Sequence, residues 1–121
     1  MKLLYKENIQ ELSQKVLDLL AKTSVEIGHK TDAKTLASLS KIFATDLIRE
    51  RRFGKMTFNQ IVDAFHIGVR FGKDEPYMNI RTFYKWVYAH KKTIDDATYQ
   101  TETLKIKNVP YYQESKKLLK W

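Results

Sequence analysis

The side chains of this chain that could do chemistry are three histidines, His29, His66 and His90, and two acidic arrangements. None of the histidines has a second ligand at a zinc-motif spacing, and no H-E-x-x-H occurs. Asp63 and His66 stand one helical turn apart, the spacing of an acid–base pair, and Asp95 with Asp96 offers two adjacent carboxylates to a cation. Neither pair is accompanied by a third group that would complete a site. The chain lacks cysteine, which removes disulfides and thiolate metal centres. It also lacks G-x-S-x-G, a P-loop and G-x-G-x-x-G. We therefore expect no enzyme, no metal and no cofactor, and look for binding residues instead.

Charge supplies them. The formal net charge is +8, and a basic surface concentrates polyanions around a protein. Counted along the chain, residues 1–30 carry five basic and four acidic side chains, residues 31–78 eight and six, and residues 93–121 five and four. Residues 79–92 carry four basic and none acidic, so half of the excess falls in this stretch. Projected as a helix at about 100° per residue, the stretch separates two faces. Ile80, Phe83, Tyr84 and Val87 make an apolar face. Arg81, Lys85, Tyr88 and Lys92 follow one another at spacings of four, three and four on another. Lysine and arginine can meet backbone phosphates while a tyrosine offers a stacking plane, and Thr82 adds a polar contact near the helix start. Arg49, Arg51, Arg52 and Lys55 form a second basic cluster.

The elements that must position these residues are helices. Ile9, Leu12, Val16, Leu19 and Leu20 recur at helical spacing between about Lys6 and Lys22. Gly28 breaks that pattern, and Thr31 or Asp32 caps a second helix reaching to about Glu50, where Gly54 can end it. The apolar positions of that helix are Leu36, Leu39, Phe43, Leu47 and Ile48. Thr57 with Gln60 reads as a capping box for a third helix over 58–71, with Phe58, Ile61, Val62, Phe65 and Val69 on one face. Gly68, inside that helix, implies that another backbone packs closely there. Pro76 interrupts, and Asn79 caps a fourth helix over about 80–92.

Residues 93–97 could extend that helix or turn it. The alternation TETLKIKNV from Thr101 reads as a short strand or extended segment ended by Pro110, with a last helical turn or two over 111–121. Of the aromatics, Phe43, Phe58, Phe65 and Phe83 belong to the core by their spacing, whereas Trp86 and Tyr88 lie towards its flank. Tyr111, Tyr112 and Trp121 either clamp the tail to the body or anchor a partner.

The fold expected is all-α: a small orthogonal helical bundle of about four main helices, with a helix-turn-helix-like pair formed by helices 3 and 4. A helical domain over 1–100 is followed by an irregular C-terminal tail over 101–121. At 121 residues one domain suffices. The start MKLLYKENIQEL lacks the apolar core of a signal peptide, and no apolar run reaches the length of a membrane span. Both point to the cytoplasm.

Residues 56–92 also carry the pattern Thr57, Ile61, Ala64, Phe65, Gly68, then Asn79, Thr82, Phe83, Trp86, Tyr88. This resembles small helical proteins of phages and mobile elements of Bacteroidota, often encoded near replication genes. The resemblance covers about a third of the chain and implies a shared fold, with a role in phage replication or DNA handling. The function expected is non-enzymatic nucleic-acid binding. Its alternative is a protein-interaction module, such as a phage adaptor, helicase loader or virion component, whose basic helix meets an acidic protein partner. A homo-oligomer stays open.

Overall fold

The computed structural model describes residues 2–108, with side chains described for residues 2–99. The described fold is all-α: α1 (Ile9–Glu26), α2 (Ala33–Arg49), α3 (Phe58–Phe71) and α4 (Ile80–Asn108), preceded by a 3-10 turn, Leu4–Lys6. The chain divides into two units, Met1–His90 and Lys91–Trp121. The first holds α1, α2, α3 and the start of α4. No helix of the described residues is long and apolar enough to cross a membrane.

Each helix begins where a short polar side chain satisfies the free N–H groups of the first turn. The Asn8 side chain accepts from the N–H of Gln10 and Glu11 at 2.9 and 3.1 Å. Asp32 accepts from the Thr35 N–H and hydroxyl. The capping box at α3 is complete, with Gln60 N–H donating to the Thr57 hydroxyl and Thr57 N–H to Gln60 Oε1. Asn79 accepts from Thr82 N–H at 2.8 Å at the start of α4. The first helix starts and ends later than its apolar spacing suggests, because Asn8 fixes one end and Gly28, at a φ of 75°, turns the chain beyond the other.

The core of the first unit is aromatic. Phe43, Phe65 and Phe83 are fully or almost fully buried, with ring centroids 5.3–5.8 Å apart. Leu12, Val16, Leu20, Leu47, Ile61 and Val87 close around them. Ile9 and Phe58, expected in the core from their periodicity, are exposed and half-buried respectively.

Helix α2 ends at Arg49, next to the expected Glu50: Glu50 is extended, with φ −74° and ψ 113°, and residues 51–55, Gly54 among them, form turns. Within these turns Phe53 is wholly buried against Tyr84 and Tyr88. Two expectations are corrected. Residues 101–108 are helical, not a strand. No strand among the described residues is there to pair with one, and extending an existing helix adds a hydrogen bond per residue without a new nucleus. Finally, what approaches Gly68 is a side chain and not a backbone. A Cβ at that position would lie 2.2 Å from Trp86 Cδ1. The expectations for Tyr111, Tyr112 and Trp121, and for helical turns over 111–121, lie outside the described residues.

Candidate nucleic-acid interface

Lys92 belongs to the second unit; the other basic residues singled out by sequence occupy two places in the first, and one contact joins them. Arg52 is held by Glu50 through Nε to Oε1 at 3.0 Å and Nη2 to Oε2 at 3.4 Å. The same guanidinium stands over the Tyr88 ring, 5.1 Å from its centroid. The turn after α2 and the exposed ridge of α4 therefore share a surface. The Glu50 carboxyl is held below its ordinary value, first by the hydrogen bond from the Arg52 side chain, and the same bond raises Arg52 further. Arg52 is thus a fixed, fully charged fork.

Tyr88 differs from an open stacking plane. One side of its ring carries Arg52, and it packs on Phe53 and Tyr84 with centroids 5.1 and 6.1 Å away. Thr82 is buried and turned from solvent. Tyr84 lies one turn before Tyr88, and burial, helped by a hydrogen bond to Asp46, raises its phenol above the ordinary tyrosine value. These rings build the wall on which the arginine lies.

The absence of acids from residues 79–92 does not leave that stretch uncompensated, because its neighbours supply them. Lys85 pairs with Asp74 of the α3–α4 loop. Lys85 holds the Asp74 carboxyl below its usual range, first through that hydrogen bond. In the second unit Lys91 pairs with Asp95 at 2.6 Å and Lys92 with Asp96 at 2.9 Å. The two aspartates read as a carboxylate pair in the sequence are thus drawn to separate lysines. Arg81 is exposed and has no ion-pair partner among the described residues; the same holds for Arg49, Arg51 and Lys55. Lys85 and Asp74 are both exposed, so solvent screening leaves their pairing weak and a phosphate can displace the carboxylate.

No protein-family model matches the chain, and no curated protein or solved structure shows a significant match to it. The geometry has to carry the reading.

Asp63 and His66 are both exposed and line a groove between α1 and α3 with Glu26 and Lys22. The Glu26 carboxylate in that groove accepts from Arg70 Nη2 at 2.8 Å. Among the described residues no three histidine or acidic side chains are grouped to hold a metal ion.

Sequence reasoning missed one surface residue. The 3-10 turn runs beside the basic junction: Leu4 N–H donates to Met56 O at 2.8 Å, Tyr5 N–H to Gly54 O at 3.2 Å, and Leu3 bridges Thr57. Tyr5 and Lys6 are thereby set against the turn that carries Arg51, Arg52 and Lys55. Nothing in the local pattern of MKLLYKEN announces this, since it depends on pairing across some fifty residues.

Proposed function

We propose that the protein is a non-enzymatic nucleic-acid-binding domain whose contact surface is built from the turn after α2 and the exposed ridge of α4. The observation that carries the reading is the Arg52–Tyr88 contact, which puts Arg51, Arg52 and Lys55 beside the helix that bears Arg81 and Lys85. The free guanidinium groups of Arg81, Arg49 and Arg51 suit phosphate oxygens, whereas Arg52 offers only the donors that Glu50 leaves open. The resemblance of residues 56–92 to phage and mobile-element proteins accords with a place in replication or DNA handling, in the cytoplasm. The helix-turn-helix-like use of α3 and α4 belongs to this reading: α4 would be the helix that touches the nucleic acid.

Binding measured against salt tests it. About four neutralised phosphates give a log–log slope near −3 to −4 on duplex DNA. Changing Arg81 and Lys85 together to alanine should flatten the slope by about 2. Absence of binding at low salt, or binding indifferent to salt, overturns the proposal.

A protein partner is the second reading. Ile67 and Phe71 are exposed one turn apart on α3, Phe71 by 74%, an apolar pair that suits an interface anchor. An acidic protein, instead of a nucleic acid, would then meet the basic surface.

A further inference from the structure

We infer that Tyr5 is a base-stacking platform through which the basic junction gains affinity for single-stranded nucleic acid beyond the phosphate contacts it offers a duplex. This rests on the nucleic-acid reading above and deepens it.

Stacking needs an aromatic ring that is accessible, rigidly held and surrounded by cations. Tyr88 fails the first condition, because it is half-buried, packed on Phe53 and Tyr84 as well as under Arg52. Four large aromatic side chains are exposed among the described residues: Tyr5, Phe71, Tyr77 and Tyr99. Tyr5, at 52% exposure, is the one that adjoins the basic turn. Its Cβ lies 3.5 Å from where a Gly54 Cβ would be, so the side chain leaves the backbone directly against that turn.

The segment carrying Tyr5 is fixed. Its backbone is paired at Leu4 and Tyr5, as described, and Leu4 is wholly buried. Glu7, with a side chain only 3% exposed, meets Lys15 Nζ at 3.4 Å and ties the segment to α1. A ring placed this way loses little freedom on binding. One cation stands over it and others are carried by the neighbouring turn. Lys6 Nζ lies 5.6 Å from the ring centroid, and Arg51, Arg52 and Lys55 are exposed on the turn next to it. A base laid on Tyr5 would keep its flanking phosphates within reach of these side chains. A duplex has no unstacked base to offer, so only a single strand uses the ring.

Fluorescence anisotropy with a labelled oligothymidylate of about twelve nucleotides, and with a duplex of the same length, separates the terms. We expect Tyr5→Ala to weaken oligothymidylate binding about five- to a hundredfold, with an unchanged salt slope and duplex affinity within about twofold. Tyr5→Phe, which keeps the ring, should bind within about twofold of the unchanged protein. Lys55→Ala should flatten the salt slope on either polymer by somewhat under 1. If Tyr5→Ala binds oligothymidylate like the unchanged protein, or loses single strand and duplex equally, the platform is overturned while salt-dependent binding upholds the domain's proposed function. If the unchanged protein binds neither polymer at low salt, both proposals fall.

Discussion

Trp86 on α4 lies so close to Gly68 on α3 that a Cβ at Gly68 would stand 2.2 to 2.6 Å from three atoms of the indole. The glycine is the notch that lets a tryptophan, also edge-on to Phe65 at 5.1 Å, join the core of the first unit. Two effects oppose each other in Gly68→Ala. Helix propensity favours alanine by about 1 kcal/mol, and overpacking costs about 1–3 kcal/mol. The indole has no flexible end to move, so overpacking should win, with a net loss of up to about 2 kcal/mol in urea denaturation. Combining it with Trp86→Leu, which removes the obstructing ring, should give a variant more stable than the sum of the two single losses implies. Strict additivity would show that the notch is not what the contact needs.

Asp74 competes with phosphate for Lys85. The loop carboxylate is exposed by 70% and its lysine by 57%, so the pair adds little to stability. Asp74→Asn should therefore leave the denaturation midpoint unchanged while tightening oligonucleotide binding by up to about fivefold at low salt. The gain should vanish when Lys85 is already alanine. Equal gains in both backgrounds would mean that Asp74 acts through general charge and not by holding Lys85.

The helices and their caps were legible in the sequence because both depend on short-range rules. Asn8 alone was not chosen as a cap, and Asp32, the Thr57–Gln60 box and Asn79 fall where their residue types demand. Where reading failed, a distant residue decided. Phe53 sits in a short turn with no periodicity, yet it packs on Tyr84 and Tyr88 and is wholly buried. The basic cluster over 79–92 was correctly counted, but Asp74 and the Asp95–Asp96 pair, lying just outside it, take up three of its four cations. Linear charge counting cannot see ion pairs that arise from a loop or from the next helical turn. Tyr5 was invisible for the same reason, since only its pairing with Gly54 brings it to the basic junction.

The capping box at α3 also holds the strand-like contact that presents Tyr5. Thr57 bridges Leu3, and its hydroxyl accepts from Gln60 N–H. Thr57→Ala should cost about 1 kcal/mol, as lost N-caps do, whereas Thr57→Ser should cost less than half of that. Amide hydrogen exchange reports where the loss falls. Protection should drop at Gln60 and at Leu4, whose N–H donates across the same contact, and much less in α1. A uniform drop would place the cap's effect in global stability alone.

Glu26 gives the fold a pH dependence of known sign. Its carboxyl is held below the ordinary value of 4.5, first by the hydrogen bond from Arg70, with the charges of Arg70, Lys22 and His66 adding to the effect. A carboxyl with a depressed folded value contributes stability that is fully present above the unfolded value. That contribution is lost as pH falls from about 4.5 through the folded value. The pair bridges α1 and α3 at 2.8 Å with the Glu26 side chain 20% exposed, so its worth is on the order of 1 kcal/mol. Glu26→Gln removes the charge and keeps the shape. At pH 7 it should therefore unfold at lower urea than the unchanged protein, and the two midpoints should converge as Glu26 protonates in the parent. Curves that stay parallel from pH 7 to about pH 3 would show that Arg70 does not stabilise the ionised Glu26 carboxylate, and that the acid sensitivity of the domain lies in its other carboxylates.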